Sequence, residues 1–151
     1  MSSRIGLTAL AFVVALVLVQ AADTQRVNPP PTGDVGAEPE VAAILRRACY
    51  DCHSNETRWP WYSRVAPVSW IIAHDVGRGR AELNFSEWDS YRPLTRERKL
   101  EWMDRALRQS AMPPWPYRLI HPGARLELAD RQLLERWTAA QLAALSGHPD
   151  E

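Results

Sequence analysis

Five consecutive residues, Cys49-Tyr50-Asp51-Cys52-His53, hold both cysteines of the chain and place a histidine directly after the second. Two thiols at i and i+3 near a helix end project to one side. They can add to the two vinyl groups of one porphyrin, and the adjacent imidazole then sits under the iron as an axial ligand. The spacing therefore predicts one covalent haem c held by Cys49 and Cys52, with His53 on the metal. Rival uses fit less well. A structural zinc site takes four ligands, and this run offers two thiols and a histidine too close in sequence to chelate with both. A disulfide across so short a loop adds little stability. A redox dithiol of the thioredoxin kind follows a strand in an α/β pattern, whereas the residues before Cys49 read as helix. The dithiol stays open as the alternative.

The sixth iron ligand is less directly marked. Class I cytochromes c place a methionine in a proline-bearing loop ahead of their last helix, and Ala111-Met112-Pro113-Pro114-Trp115-Pro116 is similar. A thioether is a soft, neutral ligand and, paired with histidine, raises the reduction potential. Met112 is thus the expected partner of His53. His74, on a helical stretch, and His121, in Ile120-His121-Pro122, are alternatives that would give a bis-histidine iron. His148 falls in the tail, and Met103 lies on an apolar stripe and reads as core. Trp59, Trp61, Tyr62 and Trp70 follow the attachment motif, with Trp88 and Trp115 further on, and could wall a wide dry pocket. Arg58, Arg64 and Arg118 could hold haem propionates through forked donors. Of these, Arg58, Trp59 and Trp70 are the pocket candidates, although for any single one core packing or a solvated face is the simpler use.

These residues need helices to position them. The chain has 151 residues, 46% hydrophobic and 24% charged, enough for one domain with one core. Its 18 basic and 18 acidic residues cancel, so no electrostatic case exists for binding nucleic acid. From Glu40 the apolar residues Val41, Ile44, Leu45 and Ala48 recur on one helical face. A second helix is expected from Val68 to about Val76, stopped by Gly77 and Gly79. A third should run from Arg96 to about Gln109, with Thr95 as N-cap and Leu100, Met103 and Leu107 as its stripe. A fourth should cover about Ala129 to Leu145, with Leu133, Leu134, Trp137, Ala140 and Gln141 or Leu142 inward. No alternating run suggests a strand, and no repeat is present. The predicted class is all-α and cytochrome-c-like. About four short helices and proline-rich loops would surround one covalently bound haem, with a hydrophobic helix ahead of them.

That N-terminal stretch reads as an address. Arg4 precedes an uncharged apolar run from Ile5 to Val19, the pattern of an export signal, and Val19-Gln20-Ala21 could be cleaved. The run stays uncharged through Ala22, about the minimum for a spanning helix. Residues 1–22 are therefore read as a signal peptide or a signal anchor, which would meet the membrane through residues 5–22 if uncleaved. Both place the remainder on the periplasmic side of a bacterial cytoplasmic membrane. Residues 23–37, with Asn28-Pro29-Pro30-Pro31, are read as an extended linker, the alternative being an ordered arm on the domain. Residues 38–147 form the expected haem-binding domain and 148–151 a tail.

Longer motifs extend the picture. Ala48-Cys49-Tyr50-Asp51-Cys52-His53-Ser54-Asn55-Glu56-Thr57-Arg58-Trp59-Pro60-Trp61-Tyr62-Ser63 resembles the bacterial haem-binding domain family, a small cytochrome-c-like group. So do Ala66-Pro67-Val68-Ser69-Trp70, Leu83-Asn84-Phe85-Ser86-Glu87-Trp88, and Met112-Pro113 with Tyr117 and His121-Pro122. The resemblance covers residues 26–143 and includes the Asn28-Pro29-Pro30 tether. It implies covalent haem at Cys49 and Cys52 with His53 axial, and supplies no reaction. The expected function is single-electron transfer by an exported or anchored monohaem c-type protein, an electron carrier rather than an enzyme, serving an unidentified redox partner protein. Two alternatives remain open. One is a haem-based sensor or peroxidase-like enzyme with a displaceable sixth ligand, and the other is a haem-bearing interaction module.

Overall fold

The computed structural model describes residues 2–20 and 25–147. Seven α-helices follow one another: α1 (Ser2–Gln20), α2 (Pro39–Ala48), α3 (Tyr50–His53), α4 (Val68–Glu82), α5 (Pro93–Arg108), α6 (Trp115–Ile120) and α7 (Leu128–Ser146). Short 3-10 turns lie at Trp61–Arg64, Phe85–Ser90 and Pro122–Ala124. No strand occurs among the described residues, in line with the all-α expectation.

The core forms where α2, α5 and α7 meet. Val41, Ile44, Leu45 and Ala48 of α2 are all buried, so the helical stripe is the packed face. It meets Leu100 and Leu107 of α5 and Leu134 and Trp137 of α7, with Tyr50, Phe85 and Trp88 in the same cluster. α5 and α7 pack along each other, and α2 crosses α7.

Four expectations need correction. Gly77 and Gly79 do not stop the second helix, because α4 continues to Glu82. A glycine inside a helix costs it stability, and at position 79 packing supplies the reason for it. A Cβ there would lie 2.5 Å from the Cys52 carbonyl oxygen and 3.0 Å from Cys52 Cβ. Gly79 is thus the point where α4 and α3 touch backbone to backbone. α5 begins at Pro93 rather than Arg96, since proline is well suited to a first helical position where no N–H is required. On α7 it is Thr138, not Ala140, that turns inward. Its hydroxyl donates to the Glu135 carbonyl at 2.9 Å, so the buried polar group is satisfied. Finally, α3 and α6 are additional short helices, formed where loops were expected.

The N-terminal segments also take definite form. Among the described residues, no helix is long and apolar enough to cross a membrane. The uncharged stretch Ile5–Val19 lies within α1. As helix it reaches roughly 22 Å, short of the roughly 30 Å of a bilayer core. Ala21 and Ala22, on which the cleavage site and the longer anchor depend, lie outside the described residues, as does His148. Residues 25–38 have no helix or strand, as their prolines require. They are nonetheless an arm on the domain rather than a free tether. The backbone N–H groups of Thr32 and Gly33 donate to the Ser86 carbonyl at 2.8 and 3.1 Å, and Val35 is buried in the core cluster.

The two helical glycines should respond in opposite ways. Gly79→Ala should lower apoprotein stability by about 1–3 kcal/mol, because the Cys52 backbone must move. Gly77→Ala, with nothing within 4 Å of the new Cβ, should raise it by about 0.5–1 kcal/mol. Thermal unfolding of the two variants measures both signs.

Candidate functional site

The two thiols sit on a corner. α2 runs regularly to Ala48, and at Cys49 the backbone leaves helical geometry (φ −124°, ψ −38°). The chain turns and restarts as α3, where the N–H groups of Cys52 and His53 donate to the Cys49 carbonyl at 3.1 and 2.9 Å. Both cysteines are free and half-buried. Burial, and then the neighbouring Cys52, push the Cys49 thiol up to about 12, against a smaller pull from Arg47. Burial, then Asp51 and Asp75, push Cys52 up to about 11. Neither is a thiolate at neutral pH. A redox dithiol requires the opposite, an attacking sulfur with a depressed pKa.

His53 is held by α4. Its Nδ1 lies 2.9 Å from the Gly79 carbonyl oxygen and 3.1 Å from that of Leu83. Carbonyls only accept, so Nδ1 carries the hydrogen and Nε2 keeps its lone pair. That is the tautomer of a histidine that ligates through Nε2, with the second nitrogen bonded to fix the ring. Burial lowers the imidazole pKa, partly countered by the two carbonyls, and keeps the ring neutral. Lys99 closes the same helix end by donating to the Glu82 carbonyl at 2.6 Å.

This arrangement sorts the possible sixth ligands. α4 lies on the Nδ1 side of His53, and a sixth ligand must come from beyond Nε2. His74 is on α4, two residues before Val76, which faces inward with Gly79. A step of two residues is about 200° around a helix, so His74 points away and is exposed. His121 has both nitrogens engaged. Tyr62 Oη lies 3.1 Å from Nε2, and Nδ1 lies 3.2 Å from the Tyr117 carbonyl oxygen. The ring is also stacked on Tyr117, with centroids 4.1 Å apart. Met112 lies in the loop between α5 and α6 and is 40% exposed. On the α5 side the loop is tied down: Arg131 of α7 donates to Ser110 Oγ at 2.6 Å, and the Ala111 N–H donates to the Ala106 carbonyl at 2.9 Å.

The pocket candidates have definite partners. Arg58 is committed to Asp51: its backbone N–H and Nε donate to Oδ1 at 3.1 and 3.2 Å, and Nη2 to Oδ2 at 3.3 Å. A propionate would have to compete for that fork. Trp59 is half-buried and its Nε1 donates to Asn28 Oδ1 at 3.1 Å, which fastens the arm. Trp70 is exposed on α4, and so are Trp61, Ile71, Trp115, Leu119 and Ile120. These six large apolar side chains come from α4, the 3-10 turn packed on it, and α6, which the Tyr62–His121 bond joins to that turn. Single exposed apolar residues mean little, but such a concentration on neighbouring elements marks a ligand or partner surface. Among the described residues, no group of three or more His, Cys, Asp or Glu gathers to hold a bare metal ion.

One residue central to the site carried no signal in the sequence. Arg80 follows Gly79 on α4 and bonds four ways. Nε donates to the Ser54 carbonyl and Nη1 to the Val27 carbonyl, each at 2.8 Å. Nη2 donates to Asn28 Oδ1 at 3.0 Å and Thr57 Oγ1 at 2.9 Å. Asn28 Nδ2 also donates to the Thr57 carbonyl at 2.9 Å. The arm, the segment after His53 and α4 therefore share one guanidinium. Beneath them, Asn84 Nδ2 donates to Asn55 Oδ1 at 2.8 Å, and the Asn55 N–H to Ser86 Oγ at 3.0 Å, a buried knot in which the amides are satisfied.

Two neutral thiols one turn apart, an oriented imidazole with a free Nε2 and a broad apolar surface together suit a porphyrin and its iron. The family model described as a haem-binding domain matches residues 11–140. No curated protein and no solved structure matches the chain.

Arg80→Ala should loosen the arm and the segment after His53 together. Loss of these charge-assisted bonds should cost about 2 kcal/mol or more. Limited proteolysis should then cut at Arg26 much faster than in wild type.

Proposed function

The chain belongs to the haem-binding domain family, and from that premise we propose that it is an exported monohaem c-type protein that transfers single electrons. Haem is its cofactor, and when bound it supplies a one-electron ferric/ferrous couple. The observation that supports the reading is the His53 hydrogen bond to Gly79 and Leu83, which leaves the Nε2 lone pair available to a metal. Cys49 and Cys52 would hold the group through two thioether bonds, each made by adding one S–H across one vinyl double bond, a redox-neutral addition with no leaving group. Their high pKa fits a role as neutral thiols awaiting this chemistry rather than as an exchanging dithiol.

Met112 is the proposed sixth ligand. His74 faces away and His121 is engaged at both nitrogens, which leaves the Met112 loop as the source. The chain's apolar side chains exclude water from the ring, and its neutral charge offers no strong steering field to a redox partner protein. Arg4 and the uncharged run from Ile5 through Ala22 fit a signal peptide or a signal anchor, and either supports placement on the periplasmic side.

One observation favours a second reading, a sensor or peroxidase-like protein with a displaceable sixth ligand. Helix α6, which follows Met112 closely, contains no buried residue. Pro113 is buried, but Met112 is 40% exposed and the helix that follows is lightly seated, so the thioether could be released.

Co-expression with haem-attachment machinery provides the test. Wild type should retain one haem's mass after acid denaturation, and Cys49→Ala with Cys52→Ala should retain none. Reduced wild type should be low-spin and indifferent to CO, and Met112→Ala should become CO-reactive. Haem lost on denaturing the wild type would remove covalent attachment. CO uptake by wild type would move the function to sensing or peroxide chemistry.

A further inference from the structure

What keeps α6 in place is unusual for a helix. Trp115, Leu119 and Ile120 are exposed, no residue of the helix is fully buried, and it meets the core through the half-buried Tyr117 ring. Its tie to the rest of the domain runs through Tyr117. The Tyr117 hydroxyl donates to Asp51 Oδ2 at 2.7 Å, a short bond to a carboxylate. Asp51 is one of the two residues between the cysteines, and the Arg58 fork holds its other face. Behind Tyr117, the His121 ring stacks at 4.1 Å and accepts from Tyr62. The phenol is half-buried and bonded to a carboxylate, and burial first and Asp51 second push its pKa far up. It therefore remains a donor at any physiological pH.

We propose that Tyr117 is a positioning residue for the sixth iron ligand, clasping the Met112 loop to the pentapeptide that carries His53. This rests on the His53/Met112 reading. The two axial ligands come from segments 59 residues apart in sequence, and the clasp joins those segments through a single bond beside the cofactor. Without it, the loop's second end keeps the packing of Pro113 and of the Tyr117 ring but loses its bond to the Cys49–His53 segment, while Arg131 and Ala111 still hold the first end. The sulfur would then exchange with an external ligand more readily.

Tyr117→Phe keeps the ring stacked on His121 and removes only the hydroxyl. Asp51→Ala removes the acceptor from the other helix. Asp51→Asn keeps one oxygen acceptor for Tyr117 while giving up the Arg58 fork, and so serves as the rescue of the Tyr117 bond alone. The probe is CO added to the reduced holoprotein, read by absorption, together with the methionine-to-iron charge-transfer band of the oxidised protein and the thermal midpoint. Tyr117→Phe and Asp51→Ala should take up CO roughly ten- to a hundredfold faster than wild type, the factor for one hydrogen bond to a charged group. Their charge-transfer band should weaken, and Asp51→Asn should stay close to wild type. A general loosening of the fold would lower the thermal midpoint of Asp51→Asn and Tyr117→Phe alike without this split in CO uptake, and would overturn the proposal. So would a CO-resistant Tyr117→Phe or Asp51→Ala beside a CO-reactive Met112→Ala. A wild type that already binds CO, or a Met112→Ala protein with an unchanged spectrum, would instead remove Met112 as ligand, and the clasp with it.

Discussion

The site depends on how near α4 can come to the corner between α2 and α3. At Gly79 the separation is too small for any side chain. Only at that distance can the Gly79 and Leu83 carbonyls both reach His53 Nδ1. The Leu83 N–H also donates to the Gly79 carbonyl, so the two acceptors are parts of one helix end and move together. A helix C-terminus has carbonyls without intrahelical partners; the Gly79 carbonyl already accepts from Leu83, and the imidazole N–H is shared between it and the carbonyl of Leu83 just past the helix end. Satisfying the helix end and fixing the histidine tautomer are the same event. Arg80, the next residue, extends the constraint to the segment after His53 and to the arm.

The two residues between the cysteines are engaged as fully as the cysteines themselves. Tyr50 is buried, stacked on Phe85 with centroids 5.3 Å apart and covered on one face by the Arg46 guanidinium at 4.9 Å. It roots the corner in the core. Asp51 points the other way and gathers Arg58 and Tyr117. A four-residue helix is too short to hold itself by its own hydrogen bonds. α3 persists because one intervening side chain is packed inside and the other is bonded outside.

What could be read from the sequence and what could not divide along the same physical line. The stripe Val41, Ile44, Leu45, Ala48 was legible because a local period of 3.6 residues decides which face is buried. The Cys-x-x-Cys-His run was legible because its chemistry is local too. Gly79 misled because its cause is another helix's backbone, and nothing nearby in sequence distinguishes a packing glycine from a terminating one. The sequence marks Arg58 as a propionate candidate or a solvated residue and hides its acceptor Asp51, which lies seven residues back across a turn that has no periodicity. The prolines of the arm correctly excluded helix and strand. They could not show that Thr32, Gly33 and Asn28 would each find a partner on the domain. Arg80, with four partners drawn from two distant segments, is the extreme case.

The two sides of the site are held very differently. On the His53 side, backbone carbonyls, a close helix contact and a four-way guanidinium leave little freedom to rearrange. On the Met112 side, proline restricts the loop, Arg131 and the end of α5 fix its start, and α6 rests on Tyr117 and His121. A pure electron carrier gains from rigidity on both sides, since ligand movement on changing oxidation state adds to the barrier. A protein that must admit a small ligand gains from asymmetry. Movement requires a segment whose local opening costs little beside global unfolding, and α6, with no buried residue, meets that condition. On the proposed His53/Met112 ligation, the strength of one phenol–carboxylate bond would set where the domain lies between a closed carrier and an openable haem. A proximal side fixed by α4 allows the distal side to vary without loss of the fold.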